Sequence, residues 1–300
     1  MAKNSIKVSK GEKVFLTFNY AVMAIFMFIC LYPFYYVFIY SISDGTSAAR
    51  GIYLFPSDIN LQTYVNIFKK GEIGMAYIIS VSKTFLSTVI CIFGTSILAY
   101  LLTQKEMPFR KTIYRFIVIT MYLNAGLIPW YITMKAYMLK DSYLLYIIPG
   151  AVNAYYLILV KTYMEQLPAS LEESASIDGA GFFTLFFKII APLSKPIIAT
   201  IAVYAAVASW NSWQDNYFLV NNPNLQTVQL ILYNYLNEAQ RMADSMRMVG
   251  SSTSADIRVS VTPDSVRMVM TMITVLPVML IYPFLQKYFV KGIMMGAIKG

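Results

Sequence analysis

Residues 167–196 read LPASLEESASIDGAGFFTLFFKIIAPLSKP, a polar, acid-bearing island between two long apolar runs. The first part has the signature of a short helix. Pro168 cannot continue a helix begun earlier. Ser170, with Glu173 three residues on, predicts a capping box: the hydroxyl accepts from the Glu173 amide and the carboxylate reaches back to the Ser170 amide. Gly179 stands where that helix needs a left-handed stop. The aromatic run 181–190 predicts a second helix, broken by Pro192, whose Phe182, Leu185, Phe186 and Ile189 share one face to bury. Four acids, Glu165, Glu172, Glu173 and Asp178, fall within fourteen residues here, out of fifteen in the whole chain. So polar a helix pair implies projection out of an apolar surround.

That surround has a membrane composition. Of 300 residues, 58% are hydrophobic and 13% charged, and the mean hydropathy is +0.57; soluble domains carry about 25% charged residues. The net charge of +9 is spread over loops, as orientation in a bilayer requires, and is not gathered on a face that could hold nucleic acid. There is no histidine, so the commonest general base and metal ligand is missing. Cys30 and Cys91 both lie in apolar runs, which argues against a zinc site or a disulfide framework. No carboxylates form a plausible acid/base pair. No G-x-x-x-x-G-K-[ST] run is present, so ATP hydrolysis is expected elsewhere.

About 20 apolar residues cross a bilayer. Six stretches qualify: 14–42, 75–102, 113–134, 143–164, 196–220 and 265–286. The basic N-terminal stretch is followed by an apolar run with no A-x-A cleavage site and is read as a retained first span, not a signal peptide. Six spans place both termini on one side. Lys and Arg number fourteen on the side of the termini and of the 167–196 island, and nine on the other. That bias favours both termini and the island in the cytoplasm. The outer segment 221–264 opens with helix-like spacing and ends in a small, polar run.

The island resembles the EAA loop of bacterial ABC-importer permeases, which reads E-A-A, three residues, G, nine residues, I-x-L-P. Here Glu173-Ser174-Ala175 is followed at the same spacing by Gly179 and by Ile189-Ile190-Ala191-Pro192; Ser174 and Ala191 depart by small or apolar swaps. Ile177-Asp178-Gly179-Ala180 narrows the resemblance to the carbohydrate-uptake branch. The likeness covers nearly the whole chain. Asn124-Ala125-Gly126-Leu127-Ile128-Pro129, Trp210-Asn211, Tyr282-Pro283-Phe284-Leu285-Gln286 and the tail from Phe289 to Gly300 are similar to permeases for complex oligosaccharides, of aldouronate, alginate and lipoprotein-linked types.

The resemblance implies an all-α polytopic protein: a cytoplasmic N-terminus 1–13 and one transmembrane domain 14–300. Within that domain it implies a coupling loop 165–195, an outer loop 221–264 and a cytoplasmic tail 287–300. Glu172, Glu173, Ala175, Asp178, Gly179, Phe182, Phe186, Ile189 and Pro192 would couple to an ATPase subunit. Acids in a helix's first turn also complement its dipole and can meet a basic partner. By position in the outer loop, Gly250, Ser251, Ser252, Thr253 and Ser254 would contact an extracytoplasmic substrate-binding protein. The implied partners are that protein, a second homologous permease, two ATPase subunits, membrane lipid and an oligosaccharide, with no nucleic acid. The chain itself would bind no cofactor and catalyse nothing; ATP and magnesium belong to the ATPase subunits. The alternatives are a permease for a polyol, glycerol phosphate or peptide, and a membrane scaffold or sensor that moves nothing. A secondary transporter would need ion-coupling carboxylates near a span centre.

The fifth span carries a second constellation, SWNSWQDNYF at 209–218. On one continuous helix Trp210, Trp213 and Tyr217 would share a face, with Asn211 and Asp215 on the adjacent stripe and Gln214 beside them. Flat rings next to planar amide and carboxylate groups suit a sugar, whose C–H faces pack on rings and whose hydroxyls bond polar planes. Interfacial belts of Trp and Tyr are the plainer reading of the rings. Lys83, inside the second span, is expected to snorkel to the outer headgroups and not to touch solute. The Met-rich stretches 268–279 and 294–295 are expected to be packing.

Overall fold

The computed structural model describes residues 9–48, 50–51, 54–69, 71–248 and 262–297. In chain order the helices are α1 (Lys10–Ser41), α2 (Gly45–Ala48), α3 (Gln62–Lys69), α4 (Glu72–Thr103), α5 (Arg110–Tyr122) and α6 (Leu127–Ala136). After a 3-10 turn at Tyr143–Tyr146 come α7 (Ala154–Met164), α8 (Ala169–Ile177) and α9 (Phe182–Leu185). A π turn (Phe186–Ile190) leads into α10 (Ala191–Leu193), followed by α11 (Lys195–Asn211), α12 (Gln214–Leu219), α13 (Val228–Met248) and α14 (Pro263–Ala297). The described residues contain no strand, only an isolated bridge between Ser43 and Ile59. Residues 250–254, expected to contact a binding protein, lie outside the described residues.

Among the described residues three helices are long and apolar enough to cross a membrane: Lys10–Ser41, Glu72–Thr103 and Pro263–Pro283. A fourth is formed if Phe182–Leu193 and Lys195–Asn211, bent by 80° at their junction, are taken as one span. The third expected span, 113–134, is instead two helices of 13 and 10 residues. The chain between them turns at Gly126, whose φ is +83° and whose amide donates to the Asn124 side chain at 2.9 Å. Pro129 then falls in the first turn of α6, where an amide has no helical partner to lose. The fourth, 143–164, opens with the 3-10 turn and is α-helical only from Ala154, where the Asn153 side chain caps α7; Pro149 and Gly150 precede it in irregular chain. The fifth, 196–220, stops at Asn211 and restarts at Gln214.

The chain forms two compact units. One comprises residues 1–69 and 235–273. Its small core joins Ile39, Tyr40 and Ala48, with Tyr36 and Met268 packed against them. Beyond α1 the Asp44 carboxylate accepts from the Thr46 hydroxyl at 2.5 Å, the Ser47 amide at 3.2 Å and the Asn60 side chain at 3.3 Å. The Thr46 bond first, then the others, holds that carboxyl below the usual carboxylate range. The apolar window of α1 has none of its residues buried.

The other unit comprises residues 70–234 and 274–300. Here α4 packs along α7 and α11. One core cluster gathers Ala99, Tyr100 and Leu102 of α4, Leu157, Val160 and Met164 of α7, Phe186 and Ile190 of the π turn and Ile201 of α11. A second joins Ile79, Met134, Leu145, Tyr146, Leu219 and Val220. The Asp141 carboxylate accepts from the amides of Asn221 and Asn222, which keeps its acidity above that of an ordinary aspartate.

The approach of α4 to the chain just before α7 depends on Gly94. A Cβ there would lie 2.5 Å from the Ala151 carbonyl oxygen, a backbone atom that cannot swing aside. Gly94→Ala is therefore expected to cost about 1–3 kcal/mol. It should lower the melting temperature of the detergent-solubilised protein; an unchanged melt would contradict the close approach.

Candidate functional site

The 167–196 stretch forms the bent element that joins α7 to α11. α8 begins after Pro168, whose φ of −60° and ψ of 125° set the entry. The expected capping box does not form: Ser170 falls inside the helix, no side chain caps it, and Ser176 donates to the Glu172 carbonyl at 2.7 Å. Proline at the cap position places Ser170 two residues inside the helix, past the position from which its hydroxyl could cap it. Glu172 has a different partner, Gln104 at the end of α4, whose side-chain amide donates to it at 3.4 Å. Glu173 and Asp178 are exposed.

The reversal after α8 is as expected. Gly179 has φ of +81°, and the Ala180 amide reaches back to the Ala175 carbonyl at 2.9 Å while Gly179 bonds the Ser176 carbonyl at 3.0 Å. This is the paired-bond stop that a left-handed residue permits. Ile177, just before it, is 86% exposed. The outward face of this loop is thus acidic with an apolar centre.

The second helix differs from a plain α-helix. Phe186–Ile190 is a π turn, and the chain stays helical through Pro192 to Leu193, so the break falls at Ser194. Pro192 accounts for the widening: it has no amide to give the Lys188 carbonyl, and its ring would clash there in an α turn. The extra residue shifts the buried face. Leu185, Phe186 and Ile190 are buried, while Phe182 and Ile189 are partly so. Tyr100 packs at a tilt against Phe182, with ring centres 5.0 Å apart, and against Phe186 at 5.4 Å. Two buried hydroxyls here, Tyr100 Oη and Ser194 Oγ, have no hydrogen-bond partner among the described residues.

The far end of α11 opens onto a cleft of about 270 Å3 lined by α4, α7, α11 and the chain around them. Lys83, Ser87 and Cys91 come from one face of α4, Asn153 and Tyr156 from the start of α7, and Ser209, Ser212 and Asp215 from the broken fifth span. Beyond it a groove of about 740 Å3 runs along Asn124–Leu127, Trp213, Gln214 and Phe218. Trp130 and Asp215 line both.

The break at Ser212 and Trp213 cancels the shared face expected of Trp210, Trp213 and Tyr217. Trp210 is buried, donates to the Thr274 carbonyl at 3.3 Å and packs on Tyr77. Asn211 accepts from Gln229 at 3.3 Å. Trp213 stacks on Tyr233 at 4.2 Å, and Tyr217 meets both rings edge-on. Of the six residues, Asp215 lines cleft and groove, Trp213 and Gln214 line the groove, and Trp210, Asn211 and Tyr217 line neither.

The snorkelling reading of Lys83 is corrected. The side chain is 2% exposed, its Nζ donates to the Ser212 carbonyl at 2.8 Å, and it sits 5.1 Å from the centre of the Tyr146 ring. The broken span leaves a carbonyl without a helical partner, and the cation turns inward to satisfy it. Lys83, Ser87 and Cys91 recur every four residues, a stripe on one face of α4 that the sequence displays.

A family model described as "Binding-protein-dependent transport system inner membrane component" matches residues 1–295. The chain is 33% identical over 290 residues to the polygalacturonan/rhamnogalacturonan transport system permease protein YtcP of Bacillus subtilis (strain 168), covering 96% of this chain and 99% of that one. It is 27% identical to the melibiose/raffinose/stachyose import permease protein MelC of the same organism, over 89% of this chain and 91% of that one. Among solved structures, a bacterial ABC transporter involved in the import of the acidic polysaccharide alginate contains a similar chain. It superposes with a TM-score of 0.81 at 28% identity, over 95% of this chain and 100% of that one.

Proposed function

The chain belongs to the binding-protein-dependent transport system inner membrane component family, and from that premise we propose that it forms half of an ATP-driven import path for an oligosaccharide. It sits in the membrane as a permease subunit. Its partners are a second homologous permease, two ATPase subunits that bind ATP and magnesium, and an extracytoplasmic substrate-binding protein. The outer loop, through residues 250–254, faces that binding protein. Six crossings with both termini in the cytoplasm complete the reading, short helices such as α5 and α6 sharing a crossing.

One observation carries it: the 165–195 loop ends outward in an acidic, apolar-centred turn and inward in a helix buried under α4 and fused to α11. A soluble ATPase docked on Glu173, Ile177 and Asp178 is thereby joined to the helix that borders the cleft. The sugar assignment is supported by the names of the relatives and by the cleft itself, where hydroxyls, an amide, a carboxylate and flat rings meet. A polyol, peptide or phosphate ester is the competing cargo, and a silent scaffold the competing role.

The test is reconstitution with the partner subunits. Oligosaccharide uptake and binding-protein-stimulated ATP hydrolysis are expected. Glu173→Lys, which places a cation where the chain offers an exposed acid, should lower both by about tenfold or more without changing the amount in the membrane. Normal uptake in that variant sinks the coupling role. Stimulated hydrolysis without sugar uptake sinks the cargo.

A further inference from the structure

Lys83 and Asp215 line the same cleft as opposite charges yet do not close on each other. Among the described residues the ion pairs are Lys161–Glu165 and Asp264–Arg267, both elsewhere. The reason is Ser212, which holds each of them. Its carbonyl accepts from Lys83 Nζ at 2.8 Å, and its hydroxyl donates to Asp215 Oδ2 at 3.2 Å. Ser212 is the residue at which α11 stops, so the separation is built into the break of the span. An ammonium carries three donors and a carboxylate about four acceptor sites. Each group therefore keeps capacity facing the cleft.

We propose that Lys83 and Asp215, pinned apart by Ser212, set the charge selectivity of the path and admit an uncharged sugar unit in preference to an acidic one. The inference rests on the oligosaccharide reading above. Neighbouring hydroxyls of a neutral ring can accept from Lys83 and donate to Asp215 at once. A uronate carboxylate gains Lys83 but meets the like charge of Asp215 on the other side of the cleft, which a neutral ring does not. Taken together the two groups leave the cleft electrically neutral. Removing either one gives it the charge of the other.

The experiment uses the assembled transporter in nanodiscs without binding protein, titrated with raffinose as neutral probe and trigalacturonate as acidic probe at up to millimolar concentration. Wild type should bind raffinose more tightly. Asp215→Asn should move the affinity ratio towards trigalacturonate by about tenfold or more, and Lys83→Met should move it the other way. Lys83→Gln, which can still donate to Ser212, carries the same arm if Lys83→Met does not assemble. Lys83→Arg should keep the wild-type ratio. A ratio unmoved in both charge-removing variants would mean that the two residues only hold the break, and would overturn the proposal, as would tighter binding of trigalacturonate by wild type. Wild type binding neither sugar would overturn the oligosaccharide reading itself, a different result from an unmoved ratio.

Discussion

Gly179→Val is expected to cut uptake by about tenfold or more while the protein reaches the membrane in normal amount. The residue sits at φ +81°, where an L side chain is rarely found and a β-branched one least of all. A Cβ there would touch nothing, since no atom lies within 4 Å. The expected loss is therefore one of backbone conformation and not of packing: about 1–2 kcal/mol for a left-handed residue with a side chain. That cost falls on the two hydrogen bonds that close α8, and it re-aims the exposed Ile177 and Asp178 that precede the turn. Gly179→Asn separates the causes, because asparagine tolerates this conformation. Uptake in proteoliposomes and co-purification of the ATPase read the result. Valine at wild-type uptake would sink the argument; asparagine as damaging as valine would move the cause from the backbone to the surface.

Asn216→Leu is expected to destabilise the protein by about 3 kcal/mol or more. Asn216 is 1% exposed and sits among four bonds. Its Nδ2 donates to Tyr146 Oη at 2.7 Å and to the Leu225 carbonyl at 3.5 Å, and its Oδ1 accepts from the Thr227 amide at 2.8 Å and hydroxyl at 3.1 Å. Tyr146 Oη in turn donates to the Leu225 carbonyl at 2.7 Å. Leucine keeps the volume, orphans the Thr227 amide and leaves the Thr227 hydroxyl only the Leu230 amide. Each buried orphan costs about 1–3 kcal/mol. Tyr146→Phe should cost less, because Asn216 keeps Leu225 and Thr227. Thermal unfolding of the solubilised protein checks both, and a leucine variant melting with wild type would contradict the network.

Much of this was legible beforehand. The apolar composition announced a membrane protein, the left-handed stop at Gly179 followed from glycine's place after a short helix, and the spacing of 225–248 marked a helix that is present over Val228–Met248. What escaped were the breaks. Hydropathy averages over a window and does not register whether the backbone inside it is continuous, so three expected spans concealed turns at Gly126, Gly150 and Ser212. The polar groups freed at those turns find partners remote in sequence. Ser212 is satisfied by a lysine 129 positions away, and Asn216 by a tyrosine 70 away. Burial of Lys83 depends on which face of α4 meets α11, a matter of packing that local pattern does not decide. The capping box failed for a local reason, since Pro168 claimed the entry that Ser170 needed. Asn216 differs from the other polar residues of 209–218 only in what surrounds it.

The 80° corner at Ser194 has a mechanical consequence. The arm before it, 182–193, is about 18 Å long and the arm after it, 195–211, about 25 Å. Two arms meeting near a right angle form a crank, not a piston: force on the short arm becomes swing of the long one. With the corner buried and rigid, travel at Phe182 reappears at Asn211 multiplied by about 1.4, the ratio of these lengths. The tip of the long arm is the edge of the cleft, so an ångström of movement at the short arm is enough to change the cleft's width.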